Sequence, residues 1–454
     1  MSRVLTIALA FLVSLSGGAV SAGGLYLTDR GTQALGQGFA VVVSTNDGNA
    51  LWYNPAALTA VDPMISVDAT LTLLHARFQR PNMRRVEAEP LPLPVPTIYY
   101  GQRQGTLAWG LGLLGSTASI QRYPDPAFED EPSQPAPQRY SLLSLEGTLL
   151  VRAAAGVAWQ ATPRLSIGLS GHLVSGSFQD RLAVSACDGV ICTRAEDPSF
   201  DAIVEVRRGL VLEPSFVLGA LYDLDIIRLG ASLVTPYNLG GDTELRIRLP
   251  NSELFDEARV VGDRARVSIP FPWIARIGVE AEATPSLRVE AAIVFERWSS
   301  QDAITLDPEN VRVENVTALG DYDVGRITIP REMRDVWSYR LGAVYDLSDV
   351  LGSSAVGRMG ALFERGAFRD EYLSPLTIDS RKLILGVGLG VEVAERVWFD
   401  ASYGHVFLDD RQVRTSRVIQ PNAIRPASAN LPAVGDGDYV MGADILGLGI
   451  RIGL

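Results

Sequence analysis

The sequence predicts an all-β fold, a transmembrane antiparallel β-barrel of about 14 strands whose lumen is plugged by the N-terminal part of the chain. Three observations predict it. The 454-residue chain has a mean hydropathy of +0.14, yet after residue 22 it has no uncharged apolar run near the ~18 residues that a spanning helix needs. Runs of alternating apolar and polar residues fill residues 63–454. The breaks between these runs alternate between short and long.

Residues 1–22 have the composition of a secretory signal peptide. Arg3 supplies the positive charge, residues 4–15 are apolar, and Val20, Ser21 and Ala22 are small residues at the cleavage position. We therefore expect export through a cleaved signal and leave this segment out of the fold. The alternative is an N-terminal membrane anchor.

The alternating runs predict strands, because successive side chains of a strand point to opposite faces. In one run, Leu287, Val289 and Ala291 alternate with Arg288 and Glu290. We count about fourteen runs: 64–78, 96–103, 106–121, 140–160, 164–182, 208–222, 226–246, 266–281, 286–299, 329–346, 356–367, 380–394, 396–409 and 437–454. Several exceed ten residues, a length suited to crossing a bilayer at a tilt.

Short turns on one side and long loops on the other are typical of barrels in the bacterial outer membrane. A soluble β-sandwich also alternates apolar and polar residues but has no reason to sort its loops by side. The faces opposite the apolar ones carry charges that would be costly in lipid and can pair in a lumen. They include Glu146, Arg152, Arg228, Arg276, Glu280, Arg288, Glu290, Glu296 and Arg340.

An even number of strands places both ends of the barrel on the periplasmic side. Residues 23–62, which precede the first strand, are too few for a soluble domain and too rich in glycine and apolar residues for a solvated tail. We therefore expect them inside the lumen as a plug, with the barrel formed by residues 63–454.

Composition excludes several functions. The net charge of −12 argues against a nucleic-acid partner, because phosphate contacts need clustered Lys and Arg. Two Cys and three His cannot build a Cys-based zinc cluster, and we expect no metal and no cofactor. No ATP-binding G-x-x-x-x-G-K-[ST] motif is present, so transport would be passive.

The plug segment resembles the N-terminal hatch of the FadL/TodX family, outer-membrane transport proteins for long-chain fatty acids and other hydrophobic compounds. The resemblance lies in Gly31, Ala34, Gly36 and Ala40, then Asp47, then the Asn54, Pro55, Ala56 motif. It continues through residues 270–300, 335–366 and 381–410. It implies capture of ligand at extracellular loops, an internal apolar site, and lateral release beside a kinked third strand that the Asn54, Pro55, Ala56 segment approaches. The chain departs from the pattern by ending in Leu454 where such barrels commonly end in Phe.

The predicted third strand contains Gly110, Gly112 and Gly115. Glycine weakens a strand and often marks a bulge, so these residues favour a kink and a lateral opening there. The alternative is that they relieve packing against the hatch.

Two loop features have candidate roles. Cys187 and Cys192 are expected to form a disulfide, because an exported protein meets an oxidising compartment. Residues 251–261 look helical, with Leu254 and Phe255 as an apolar patch that the resemblance assigns to a ligand-capture groove. The alternative for this loop is a fold over the barrel mouth that binds nothing.

Arg152, Arg228, Arg276 and Arg340 are candidates for holding a ligand carboxylate. The alternative is pairing with luminal Asp or Glu. Ser166, Ser170 and His172 share a luminal face, but residues i and i+2 of a strand lie about 7 Å apart, which predicts no Ser–His contact and no enzyme.

The sequence thus predicts a monomer that takes up a hydrophobic ligand in contact with outer-membrane lipid. Long-chain fatty acids come first and aromatic hydrocarbons second. The alternatives from other classes are a structural or adhesive barrel and a barrel enzyme acting on lipids.

Overall fold

The computed structural model describes residues 29–89, 93–118, 121–123, 135–187, 192, 194–377, 379–422 and 431–454. The predicted signal peptide and residues 23–28 of the predicted hatch lie outside the described residues.

Fourteen antiparallel strands form a closed barrel, as the alternating pattern predicts. The strands are β1 Met64–Gln79, β2 Leu93–Gln104, β3 Leu107–Ala118, β4 Ser144–Gln160, β5 Leu165–Ser185, β6 Asp201–Asp223, β7 Ile227–Val234, β8 Ile274–Thr284, β9 Leu287–Glu296, β10 Val336–Asp346, β11 Ala355–Glu364, β12 Lys382–Ala394, β13 Val397–Leu408 and β14 Gly437–Gly453. Each pairs with its neighbour in the chain, and β1 closes the barrel on β14 from Met64↔Gly453 to Gln79↔Asp438.

The two faces of the wall differ in chemistry. Ile293 on β9 and Tyr339 and Leu341 on β10 point outward and are each about half exposed. Glu290 and Arg340, which lie on the alternate positions of the same two strands, point inward and are buried. An apolar outer band over a charged lumen is the arrangement expected in lipid.

At the long-loop end the sheet continues beyond the barrel. Gly241–Arg248 pairs with β6, and the sheet continues from it in order through Arg264–Ser268, Ala303–Glu309 and Ile327–Pro330. The predicted strand 226–246 is therefore three strands, Ile227–Val234, Tyr237–Asn238 and Gly241–Arg248, because Pro236 and the Gly240, Gly241 pair interrupt it.

Shorter elements complete the long-loop end. One small sheet joins Arg259–Val261, Arg312–Val316 and Gly320–Asp323, and another pairs Tyr237–Asn238 with Pro270–Phe271. Two-residue and three-residue strands at Val86–Glu87, Gln121–Arg122 and Arg411–Val413 pair with β1, β4 and β14. Short 3₁₀ helices occur at Pro198–Phe200, Glu253–Phe255, Trp298–Ser300, Asp370–Tyr372 and Pro375–Thr377.

Three of the long loops are tied together over the mouth. Arg80, after β1, forms two 2.8 Å hydrogen bonds with the Glu196 carboxylate and a third with the Ala433 carbonyl. The Gln420 amide donates to the Ala195 carbonyl at 2.7 Å. These contacts join residues 80–89, 194–200, 409–422 and 431–436 into a cap.

Residues 29–62, which we name the luminal segment, lie inside the barrel. They contain helix α1 (Thr32–Gly36), helix α2 (Ala50–Tyr53) and a 3₁₀ turn at Pro55–Ala60, all almost fully buried. A third short helix, α3 (Ser348–Leu351), lies in the turn between β10 and β11. Among the helices of the described residues, none is long and apolar enough to cross a membrane.

Candidate functional site

The Asn54, Pro55, Ala56 motif is anchored to β5 and β6. The Asn54 side-chain amide donates to the carbonyls of Val42 (2.9 Å) and Ala220 (3.1 Å), and its oxygen accepts from the Ala56 N–H. Gly168 on β5 permits the contact, because a Cβ there would lie 2.4 Å from the Ala56 nitrogen. The motif thus packs two strands beyond the predicted third-strand kink.

The three glycines of β3 have different surroundings. A Cβ on Gly110 would meet the Tyr99 ring at 2.5 Å, and one on Gly112 would meet Leu51 of the luminal segment at 2.9 Å. These two glycines therefore provide room for packing. The pairing of β3 with β4 shifts register between Gly115 and Ala118, so the irregularity in the strand begins at Gly115.

The candidate arginines Arg228 and Arg340 are in ion pairs. Arg228 on β7 hydrogen-bonds to the Glu280 carboxylate of β8. Arg340 on β10 pairs with Asp29 of the luminal segment at 2.8 Å and also donates to the Phe39 carbonyl. For these two, the structure favours pairing with luminal acids.

The other two candidates meet around Trp52. The guanidinium carbon of Arg152 lies 4.7 Å from the Trp52 ring centre, and that of Arg276 lies 4.8 Å from it. Arg30, from the luminal segment, is closer still at 4.4 Å. All four side chains are buried. We call this group the Trp52 cage.

The cage presents hydrogen-bond donors that lack acceptors. Arg276 donates from Nη1 to the Trp52 carbonyl at 3.2 Å. Within the described part of the chain, its Nε and Nη2 and the Trp52 indole nitrogen have no partner. An unpaired buried donor is costly, above all on a charged group. A group that accepts several hydrogen bonds and carries negative charge would satisfy this arrangement, and a carboxylate does both.

An apolar aromatic row leads from the cage towards the long-loop end. Arg152 donates to the Tyr237 hydroxyl at 2.8 Å. The Tyr237 ring stacks on the Phe271 ring with 4.7 Å between the ring centres, and the ring centres of Phe271 and Trp298 are 6.2 Å apart. Tyr237 follows the end of β7, Phe271 precedes the start of β8, and Trp298 follows the end of β9. The site therefore combines a cationic end with an aromatic side.

Ser170 and His172 are closer than the strand geometry predicts. The Ser170 hydroxyl lies 3.0 Å from His172 Nε2, so the prediction that they are out of reach is wrong, because the imidazole leans along the strand. The same nitrogen lies 3.0 Å from the Leu51 carbonyl. A ring nitrogen that donates to the Leu51 carbonyl also donates to the Ser170 hydroxyl, so the pair supports the luminal segment.

The loop candidates form packed structure. Within residues 251–261 only Glu253–Phe255 is helical, as one 3₁₀ turn, and Arg259–Val261 is a strand. Phe255 is buried with Ala186, Val313 and Val316, while Leu254 packs beside them. The patch is therefore largely covered by its own loop neighbours. Cys187 and Cys192 are joined by a disulfide with a Cα–Cα distance of 5.6 Å.

In the part of the chain that the structure describes, no group of three or more His, Cys, Asp or Glu side chains is arranged to hold a metal ion.

A closed fourteen-strand barrel with an apolar outer face and an occupied lumen defines an outer-membrane barrel protein. The chain belongs to the family of outer membrane protein transport proteins (OMPP1/FadL/TodX), whose model matches residues 13–443. Its function is the transport of hydrophobic compounds across the outer membrane, and its family relatives are transport channels rather than enzymes. No match was found among curated protein sequences.

Solved structures of the family share the fold. A Pseudomonas aeruginosa FadL homologue matches with a TM-score of 0.71 at 14% identity, over 96% of this chain and 100% of that one. The P. putida toluene transporter TodX matches with a TM-score of 0.67 at 16% identity, over 94% of this chain and 99% of that one. The Ralstonia pickettii toluene transporter TbuX matches with a TM-score of 0.61 at 14% identity, also over 94% of this chain and 99% of that one.

Sequence reasoning missed two members of the cage. Trp52 was part of the predicted hatch, and Arg30 was not singled out. A signal was available for Arg30, which is the one Arg or Lys of residues 23–62, because a cation in a glycine-rich and apolar stretch needs a buried partner.

Proposed function

We propose that this protein takes up long-chain fatty acids by passive diffusion, with the carboxylate held in the Trp52 cage. The observation that carries the proposal is the set of buried donors on Arg276 and Trp52 that lack acceptors. The aromatic row Tyr237, Phe271 and Trp298 would contact the first part of the acyl chain. A ligand with an anionic head and an apolar tail matches both ends of the site.

We propose further that the luminal segment is the hatch and that the ligand leaves sideways. Ligand would enter past the cap, bind in the cage and pass into the bilayer beside β3. The register shift after Gly115 supports this exit, because a strand that loses regular pairing is the weakest place in a barrel wall. Each CH₂ that moves from water into lipid contributes about 0.8 kcal/mol, which favours the overall uptake without ATP.

The second candidate is import of aromatic hydrocarbons. The stacked Tyr237 and Phe271 rings favour it, because aromatic ligands pack well against aromatic side chains. The structural relatives include two transporters of toluene. A neutral hydrocarbon, however, would leave the Arg276 and Trp52 donors without acceptors.

The test is binding to the purified barrel in detergent. Wild-type protein and the Arg276→Gln, Arg152→Gln and Arg228→Gln variants are titrated with oleate, oleyl alcohol and toluene. We expect wild-type protein to prefer oleate over oleyl alcohol. Arg276→Gln should weaken oleate binding about ten- to a hundredfold, as expected for a hydrogen bond to a charged group.

Arg228→Gln is the matched control, because Arg228 is luminal but paired with Glu280. It should leave oleate affinity unchanged. Equal affinity for oleate and oleyl alcohol in all four proteins would reject the carboxylate site. Tight toluene binding with no oleate binding would favour the hydrocarbon importer instead.

A further inference from the structure

Arg30 contacts both the Trp52 cage and the irregular end of β3. Its guanidinium carbon lies 4.4 Å from the Trp52 ring centre, and its Nη1 donates to the Gly115 carbonyl at 2.5 Å. Arg30 is 3% exposed, so both contacts are shielded from water. One side chain thus joins the ligand site to the strand beside which release is proposed.

The Gly115 carbonyl lies where the wall loses its regular pairing. Within the described residues the β2–β3 ladder ends at Thr97 and Leu114. Beyond it the nearest β2 residue is Pro96, which has no N–H to donate, and a Cβ on Gly115 would lie 2.7 Å from the Pro96 oxygen. A cationic donor from the lumen therefore bonds to this carbonyl.

The backbone of Arg30 is held in place while its side chain spans the two sites. The Tyr53 hydroxyl accepts from the Arg30 N–H and donates to the Arg30 carbonyl, both at 2.9 Å. The preceding residue, Asp29, is bound to Arg340 on the opposite wall. Movement of Arg30 therefore requires rotation of its side chain and no displacement of the luminal segment.

We propose that Arg30 is a positioning residue that holds β3 closed in the ligand-free protein and releases it when an anionic head enters the cage; this rests on the proposed function. A guanidinium binds a carboxylate through two charge-assisted hydrogen bonds, which are stronger than one bond to a neutral carbonyl. A carboxylate in the Trp52 cage therefore competes with Gly115 for Arg30. Loss of the Arg30 bond frees the part of β3 that already lacks regular pairing.

The experiment measures amide hydrogen exchange of β3 in the full-length barrel in nanodiscs. Four proteins are compared: wild type, Arg30→Met, Arg30→Lys and Arg228→Gln. Arg30→Lys keeps a cationic donor for the Gly115 carbonyl. Arg228→Gln removes a luminal arginine that is paired with Glu280 and lies on β7, outside both the Trp52 cage and β3. A difference in gel mobility between unheated and heated samples establishes that each barrel is folded, and oleate affinity is measured on the same preparations.

Without ligand, Arg30→Met should raise exchange in residues 113–118 about tenfold, the effect of losing one hydrogen bond from a charged donor. Arg30→Lys should restore most of the protection, and Arg228→Gln should resemble wild type. Oleate, but not oleyl alcohol, should raise exchange in wild type and add nothing in Arg30→Met.

Two results would overturn the proposal. One is equal ligand-free exchange in wild type and Arg30→Met. The other is an oleate effect of the same size in both. If wild type fails to bind oleate at all, the fatty-acid assignment fails, and the ligand-free comparison still decides whether Arg30 holds β3.

Discussion

The Glu290 carboxylate on β9 accepts a hydrogen bond from the Ser44 backbone N–H at 2.8 Å. It also accepts from the N–H groups of Val42 (2.6 Å) and Val43 (3.0 Å). Three successive backbone donors on one buried carboxylate fix this stretch of the luminal segment to the wall, because hydrogen bonds to an ionised acceptor are the stronger kind.

Glu290→Gln should loosen the luminal segment. The amide has one acceptor oxygen and brings an NH₂ group towards backbone donors, so at least one hydrogen bond is lost, at a cost of about 1.5–3 kcal/mol. We expect faster amide exchange over residues 40–46 and a larger ion conductance in planar bilayers. Glu280→Gln is the control, because Glu280 pairs with Arg228 on the wall. Equal conductance in both variants would show that Glu290 does not hold the segment.

Gly168→Ala should destabilise the docked luminal segment. The new methyl would lie 2.4 Å from the Ala56 nitrogen and the Pro55 carbonyl carbon, which are backbone atoms with little freedom to yield. Overpacking of this kind costs about 1–3 kcal/mol. The thermal midpoint, followed by the gel mobility of unheated samples, should fall. Gly209→Ala in β6, where a Cβ meets nothing within 4 Å, should leave it unchanged. A similar midpoint in both variants contradicts the tight contact.

Arg80→Gln should open the cap. Arg80 and Glu196 are largely buried, so removing one partner leaves a charge poorly solvated. Protease added to intact cells should cleave the long loops about tenfold faster, because cleavage follows the population of opened loops. Arg77→Gln is the control, since its pair with Glu87 is about half exposed and worth little. The cap assignment fails if Arg77→Gln and Arg80→Gln are cleaved equally fast.

Replacing both Cys187 and Cys192 by Ser should affect the cap and spare the lumen. Closing a loop of this length stabilises it by about 2 kcal/mol in the chain-entropy account. The double variant, and wild type under reductant, should show faster proteolysis near residue 192. Oleate affinity should stay at the wild-type value, because neither cysteine contacts the Trp52 cage. A loss of affinity would place this loop on the ligand's path.

The wall of the barrel was predictable because its signal is local. Each strand carries its own alternation, as in Leu287, Val289 and Ala291, and the Pro and Gly residues mark the breaks. The errors in the strands, at 226–246, 266–281 and 329–346, came from reading interrupted runs as single elements, although each run contains proline.

The site was predictable only in part because it depends on distant contacts. The sequence placed Arg152 and Arg276 on luminal faces, but which of the four arginines meet around Trp52 depends on barrel curvature and on the course of residues 29–62. Arg30 and Trp52 come from that segment, where no periodicity orients side chains. Likewise, the Asn54 motif packs on Gly168 and Gly219, and nothing local indicates that choice.

The central claim is that the Trp52 cage binds the anionic head of a hydrophobic ligand. Native mass spectrometry of the barrel extracted from the outer membrane tests it most directly. We predict one fatty acid per wild-type barrel, strongly reduced in Arg276→Gln and retained in Arg228→Gln. A neutral hydrocarbon in the wild-type barrel, or a fatty acid retained equally in both variants, would contradict the account.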